Sequence, residues 1–447
     1  ISRSDTFDEF IMGIRAAVLE SYRDHDYLFS SDSGVADETR YVFETLKTFS
    51  TPEVPLKISI RLLSRALREY HGRGVIILID EYDSPLQHSW KTPHHEACTS
   101  IYREVFAILK ADDKYEKFVF ITGITKFTQI SLFSVLNNLS NISFEPEYAA
   151  LCGITKEEVL HDFKPEISKL AEYEGWTFDE AVAQLTAYYD GYHFADVSPD
   201  VFNPFSLLNA MSKGKLDYYW FASGTPTYLI NMLNKFQVMP SEIGGSEADK
   251  SEFDAPTEKM TTIMPLLYQS GYITIKGYDP ETELYLLDIP NKEIRVGLYR
   301  SLLPYYIGMN TVKGTTTIAK MSAAIRHNKI DEALEMLQTY LGTIPYCDNT
   351  DYEGHYQQMM YVIFSILDNY VDVEVHTPKG RVDMVLRTAT HLYLFELKLN
   401  QSADVAMKQI DLKEYAKRFA LCGLPIVKVG INFDVETHTI KDWKVED

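Results

Sequence analysis

The stretch GRVDMVLRTATHLYLFELKLN, residues 380–400, constrains the fold more than any other part of this chain. It reads as two β-strands joined by a polar turn. Residues 382–386 alternate around Asp383, and residues 392–399 form an apolar run interrupted only by Glu396 and Lys398 near its end. Side chains alternate between the faces of a strand, so Glu396 and Lys398 share one face. Apolar residues occupy both faces of the second strand, which predicts a central strand in a sheet covered on both sides. An acid and a lysine placed there must be paired or do chemistry, because burying unpaired charge is costly. Asp on one strand and Glu-x-Lys on the next can hold a divalent cation beside a phosphodiester. The competing reading is an ion pair in an inert sheet.

The flanks favour the metal-site reading. Residues 352–370 read as a helix that carries Glu353 at its start, and residues 371–376 as a strand. Residues 402–419 read as a helix with Gln409 and Lys413 on one face. Residues 427–433 close the sheet, giving the order α-β-β-β-α-β.

A second acidic strand end lies far upstream. Residues 4–27 have apolar residues at helical spacing, and a further helix starts at Thr51-Pro52-Glu53 and stops at Gly72. Residues 75–79 (VIILI) are wholly apolar, the mark of a buried parallel strand, and run into Asp80-Glu81, with Asp83 just beyond. Acids at the carboxyl end of such a strand sit where open α/β sheets bind ligands. In nucleotide hydrolases the first acid holds the Mg²⁺ hydration shell and the second polarises water. Residues 118–121 form another apolar strand, whose tip offers Thr122 as a γ-phosphate sensor; the plainer reading is a turn cap. A P-loop needs a Gly-rich turn ending in Lys-Ser/Thr. Gly214-Lys215 is followed by Leu216, and Val312-Lys313-Gly314 has the wrong order. The chain also begins at Ile1 and enters a helical pattern almost at once, so a fragment of a longer protein is expected.

Between these regions, residues 153–189 are helical and acid-rich, and YDGYHF and VFNPFSLLNAM form an aromatic turn and a helix. Residues 241–258, with a Gly-Gly pair and many acids, read as a linker. Helix 260–270, the hairpin GYITIKGY with ELYLLDIPN, and helix 292–305 suggest a winged-helix module, followed by helical residues 318–341. Few lysines or arginines lie on the wing, which favours packing over DNA contact.

The bounds agree with a large multidomain chain. At 447 residues, about three domains of ~150 residues are expected. The net charge of −21 argues against a surface coated for nucleic acid, so any DNA contact needs a local basic strip and metal ions. No apolar run approaches a membrane span, and no signal peptide begins the chain. Cys98, Cys152, Cys347 and Cys422 are scattered, which fits a reducing cytoplasm. His94 to Cys98 (HHEAC) lacks a second ligand pair and reads as a surface turn.

The order α-β-β-β-α-β with Asp383, Glu396-Leu397-Lys398 and Gln409 resembles the PD-(D/E)XK nuclease superfamily over roughly the last quarter of the chain. Arg381-Val382 stand where the family's name-giving Pro would lie. The resemblance implies Asp383 and Glu396 as ligands of Mg²⁺ (or Mn²⁺). It implies Lys398 as the group that orients the attacking water, with Gln409 and the first-helix acid, Glu353, in support. Upstream, ILIDEYDSPL, ITGITKF, YDGYHF, VFNPFSLLNA and SGYITI…IPNKEIR are similar to AAA-ATPase-like proteins of anaerobic bacteria, which join an ATPase to such a nuclease domain. That likeness implies a P-loop upstream of the first helix, ATP as cofactor of the full-length protein, and Asp80, Glu81 and Thr122 on the nucleotide side.

The combined expectation is an α/β protein. A P-loop-type ATPase core spans 1–150, a helical lid 151–255, a winged-helix-like module with a linking helix 256–345, and a restriction-endonuclease-like domain 346–447. The implied activity is Mg²⁺-dependent hydrolysis of nucleic acid, DNA before RNA, in the cytoplasm, without a membrane; a homo-oligomer stays open. A nucleotide-gated switch that binds nucleic acid or a partner without cutting is the alternative, and a pure interaction scaffold the third reading.

Overall fold

Apolar residues at helical spacing bring the N-terminal helices onto one face of a parallel strand pair. In the computed structural model, residues 6–30, 34–47, 53–89, 92–124, 126, 138–222, 227–257, 260–307, 311–342, 353–366, 370–377, 380–419, 422–437 and 439–447 are described. They divide into two units, residues 1–142 with 250–270, and residues 143–249 with 271–447.

In the first unit, helix Phe7–Asp24 opens with a reciprocal cap. Thr6 Oγ1 accepts from the Glu9 amide, and the Glu9 carboxylate accepts from the Thr6 amide. Phe10, Ile14 and Tyr22 from this helix pack with Val42 and Phe43, with Leu56 and Leu63 of helix Glu53–His71, and with Tyr102 and Phe106 of helix His95–Ala111. Strands β1 (Val75–Ile79) and β2 (Glu116–Ile121) are parallel, as expected, and Ile77, Ile79, Val119 and Ile121 face this core. The expected burial of β1 on both faces does not hold. Ile76, Leu78 and Phe118 are 56%, 70% and 53% exposed, because the described helices pack on the other face. HHEAC is not a surface turn but the start of helix His95–Ala111; Cys98 is buried, and Ser89 Oγ meets His95 Nδ1 at 2.8 Å.

In the second unit, the acid-rich stretch resolves into three helices, Lys156–Asp162, Lys164–Glu174 and Phe178–Tyr189. Thr155 and Thr177 each begin one with a capping box, and Gly175 in the left-handed region (φ 72) ends the second. Short strands β3 (Ile154–Thr155) and β4 (Val201–Phe202) pair antiparallel. The expected linker at 241–258 does carry the chain from the second unit to the first, between Asp249 and Lys250, but its described part is not slack. Its β5 (Ser246–Ala248) pairs with β7 (Leu284–Asp288) beside β6 (Thr274–Asp279), and Phe253, already in the first unit, is fully buried. The Gly-Gly pair signals close approach rather than slack: Gly244 has φ 100, and a Cβ there would collide with the Asp288 carboxylate. The hairpin β6–β7 forms as expected. Its proposed partner helix, Met264–Gln269, belongs to the first unit.

The C-terminal sheet has the order β12-β11-β10-β9-β8, with β8 (Tyr370–Thr377), β9 (Gly380–Arg387), β10 (Leu392–Leu399), β11 (Ile426–Asp434) and β12 (Thr439–Glu446). β10 runs parallel to β11, and the other neighbours are antiparallel. β10 is central and buried from Leu392 to Lys398, as its sequence requires. One face meets helix Glu353–Ile366, where the rings of Phe364 and Phe395 lie 5.5 Å apart and Tyr356 stacks on Phe433 at 4.4 Å. The other meets helix Ala403–Leu412, where Leu392 and Leu394 pack on Met407 and Ile410. Two details depart from expectation. The sheet does not close at β11 but gains the polar edge strand β12. The helix expected over 402–419 breaks at Glu414 (φ 50) into Ala403–Leu412 and Tyr415–Phe419.

Candidate active site

The β9–β10 ladder pairs Leu392 with Arg387 and ends at Phe395 with Met384. One step further the same register would bring Asp383 opposite Glu396. Here a side chain takes over the strand's hydrogen bond: Asp383 Oδ2 accepts from the Leu397 amide at 2.7 Å. The opening of the ladder thus fixes the Asp383 carboxylate against β10.

Glu396 is fully buried, and its Oε1 receives the Lys398 ammonium at 2.9 Å. The same ammonium donates to the Leu397 carbonyl at 2.8 Å. The strand's two-residue period puts both side chains on the face shared with Leu392 and Leu394, under helix Ala403–Leu412. That helix supplies Gln409, whose side chain lies by the Tyr415 hydroxyl and acts to lower its pKa. Tyr415 in turn donates to the Arg381 carbonyl at 2.5 Å. Burial raises the Tyr415 pKa, and the nearby charges of Glu396 and Asp383 raise it further, while Gln409 and Lys398 oppose. The phenol therefore stays protonated at neutral pH. Asp383, Glu396, Lys398, Gln409 and Tyr415 form one neighbourhood.

Two further supports surround it. Gln357, one helical turn after Glu353, donates to the Asp383 carbonyl at 2.8 Å. The side chain of Glu353 itself lies outside the described residues. Beside Lys398 in register, buried Asn432 exchanges hydrogen bonds with the backbone of Gln401 at 2.9 and 3.1 Å. Asn432 also donates to Asp442 at 2.8 Å, and Asp442 accepts from the Ala403 amide at 2.7 Å. An acid at the first turn complements the helix dipole and occupies an otherwise unsatisfied donor. Gly430 lets the same helix close on β11, since a Cβ there would meet the Ala403 carbonyl at 2.8 Å.

The donors suit a hard cation: two carboxylates, the Leu397 carbonyl next to one of them, and no thiolate or imidazole. Among the described residues no group of three or more His, Cys, Asp or Glu gathers. Two carboxylates agree with Mg²⁺, which keeps waters and takes phosphate oxygens to complete its shell.

The upstream residues also come together. Thr122 Oγ1 donates to Asp80 Oδ1, which also accepts from the Glu81 amide at 3.0 Å. Backbone bonds from Thr122 to Ile79 and from Tyr82 to Thr122, at 2.8 and 3.0 Å, align the two strand tips. Glu81 adopts φ 52, and buried Asp83 accepts from the Ile124 amide at 3.1 Å.

Two sequence families match these two regions. The family described as "Predicted AAA-ATPase" matches residues 23–133, which include Asp80, Glu81 and Thr122. The family described as "PD-(D/E)XK nuclease superfamily" matches residues 351–443, which include Asp383, Glu396, Lys398 and Gln409. An Azotobacter chroococcum mcd 1 protein, described as an uncharacterized protein in the vnfD 5′ region, is 31% identical over 406 residues, covering 85% of this chain and 74% of the relative. The chain belongs to the AAA-ATPase-like family with a C-terminal PD-(D/E)XK domain. No solved structure matches it.

For this AAA-ATPase-like protein, sequence reasoning missed Tyr415, Gln357, Asn432 and Asp442. Tyr415 lies six residues after Gln409, on a different face of any continuous helix, and only the break at Glu414 brings it back. Gln357 carried a usable signal, since it shares the Glu353 face one turn on. Asn432 and Asp442 act through the turn after β10, which no local pattern shows.

Proposed function

We propose that the PD-(D/E)XK domain hydrolyses phosphodiester bonds of nucleic acid, DNA foremost, with Mg²⁺ (or Mn²⁺) held by Asp383 and Glu396. The observation that carries this reading is the convergence of these carboxylates with Lys398, Gln409 and Tyr415 where the β9–β10 ladder opens. A bound divalent cation would supply charge neutralisation at the phosphate and acidify a nearby water. Lys398 is the cation of the site: once drawn from Glu396 towards substrate, its ammonium orients the water and offsets charge developing on phosphate oxygens. Gln409 and Tyr415 hold the wall beside it, and Glu353 is proposed as the supporting acid of the first helix. Asp80, Glu81 and Thr122 form the proposed nucleotide edge, where Asp80 and Glu81 serve a Mg²⁺–ATP complex and Thr122 reads its terminal phosphate.

The test is cleavage of plasmid and linear DNA with Mg²⁺ by the full chain and by Asp383→Ala and Lys398→Ala. Both substitutions are expected to abolish metal-dependent cleavage; cleavage undiminished in both would remove the assignment. Thermal stabilisation by Mn²⁺ that disappears in Asp383→Ala would support a working metal site, whereas no stabilisation by metal would favour the binding-only switch.

A further inference from the structure

In a chain of net charge −21, a cluster of cations away from the carboxylate site stands out. Helix Lys292–Ile307, helix Thr311–Arg326 and the end of helix Phe178–Tyr189 line a half-open cavity of about 230 Å³. Its polar lining comprises Lys292, Arg300, Arg326, Ser322, Tyr188 and Tyr218. No carboxylate lines it among the described residues.

The cations are set by aromatic faces. The Lys292 ammonium lies 4.2 Å from the Tyr188 ring centre, and the Arg300 guanidinium 4.5 Å from that of Tyr218. The two rings stand 6.0 Å apart. For Arg300, the ring face attracts the cation but does not cancel its charge as a carboxylate does. Neither Arg300 nor Arg326 forms an ion pair among the described residues. Burial raises the Tyr218 hydroxyl to about 12, so this wall carries no negative charge at neutral pH and keeps a proton to donate.

We infer that this cavity binds a phosphomonoester group, with Arg300, Arg326 and Lys292 on the phosphate oxygens and the tyrosine hydroxyls beside them. Guanidinium forks match phosphate oxygens in pairs, and a dianion meets several cations better than a carboxylate ligand does. The cavity is smaller than the 300–1,000 Å³ usual for drug-sized ligands, which points to a compact phosphorylated group rather than a duplex. The group comes either from a free nucleotide or from the 5′ end of a single strand. The inference is independent of the phosphodiester reading of the C-terminal sheet.

Calorimetric titration of the full chain in EDTA tests it, with sodium phosphate, ADP, and a short oligonucleotide bearing either a 5′-phosphate or a 5′-hydroxyl. Phosphate or ADP is expected to bind the unmodified chain and about tenfold or more weaker to Arg300→Ala/Arg326→Ala and to Arg326→Gln, since each lost charge-assisted contact removes a large part of a small ligand's affinity. Both arginines are exposed, and circular dichroism checks that the variants fold. Binding of the 5′-phosphorylated oligonucleotide, but not its 5′-hydroxyl counterpart, assigns strand ends as the source; binding of phosphate and ADP alone assigns a free ligand. No binding of any phosphate species at millimolar concentration overturns the inference. So does binding that survives both arginine variants, or that is lost in Asp80→Ala but not in them.

Discussion

Glu396 and Lys398 are the residues on which the catalytic reading turns, and their burial sets how they must be tested. The Glu396 side chain is wholly enclosed and that of Lys398 is 10% exposed. Removing one member of a buried pair leaves a charge where solvent cannot reach it, typically costing about 3–5 kcal/mol, whereas replacing both by apolar or neutral groups of similar size is often neutral. Lys398→Met alone is therefore expected to lower stability by several kcal/mol on that scale, and Glu396→Gln/Lys398→Met to recover most of it while remaining inactive. Urea midpoints of Lys398→Met, Glu396→Gln and the double variant decide this; a double variant destabilised by the sum of the two single losses would mean that the pair is not energetically coupled. Tyr415 offers a milder probe. Tyr415→Phe keeps the ring in its packing and deletes only the hydroxyl that donates to the Arg381 carbonyl beside Gln409. A loss of about 1 kcal/mol in stability is expected. Cleavage should show a lower kcat at unchanged KM, as suits a positioning residue. A variant with unaltered kcat would detach Tyr415 from the site.

Among elements, β2 carries a pH response of its own. Burial, aided by Asp112 and Asp113, pushes the Glu116 carboxyl up to about 7 from an ordinary 4.5. A carboxyl whose folded value is raised favours the folded state in its protonated form. Its contribution is complete below pH 4.5 and is lost as the pH rises through 7. Thermal melts between pH 5 and 8 should show this fall, and Glu116→Gln should flatten that part of the profile; an identical slope in the variant would reject it. The same strand shows what pattern alone can tell. The parallel pairing of β1 and β2 was legible, because VIILI and FVFI are short, β-branched or aromatic, and end in polar tips. Their one-sided burial was not, since periodicity cannot report which face a distant helix covers. Likewise β10 announced its central place through apolar residues on both faces. β12 did not, because its edge position tolerates Lys441, Asp442 and Lys444 between Ile440 and Trp443 or Val445. The closeness of Asp383, Glu396 and Lys398 was readable from spacing, and the family resemblance added Gln409. Tyr415 and Asn432 entered only through a broken helix and a register with Lys398.

At the scale of the whole molecule, a net charge of −21 opposes any polyanion, and the two carboxylates of the site add to that locally. Metal should therefore govern binding as well as chemistry. With Lys398→Met, expected to be inactive, DNA affinity at fixed ionic strength is expected to fall by about tenfold or more when Mg²⁺ is replaced by EDTA, since neutralising the acids near the phosphates is a precondition for contact. Fluorescence anisotropy measures this, and an affinity indifferent to EDTA would separate DNA binding from the metal site. One strand bears on how such assays are read. Asp442 on β12 accepts from the Ala403 amide at the start of helix Ala403–Leu412, 39 residues earlier in the chain, and steadies Asn432, its neighbour on β11, beside Lys398. Trimming or tagging that disturbs β12 would thus look like a lesion in the reaction itself. An inactive truncation at this edge would not by itself show substrate contact there, and mutational scans are expected to find sensitive positions on a strand outside the proposed carboxylate site.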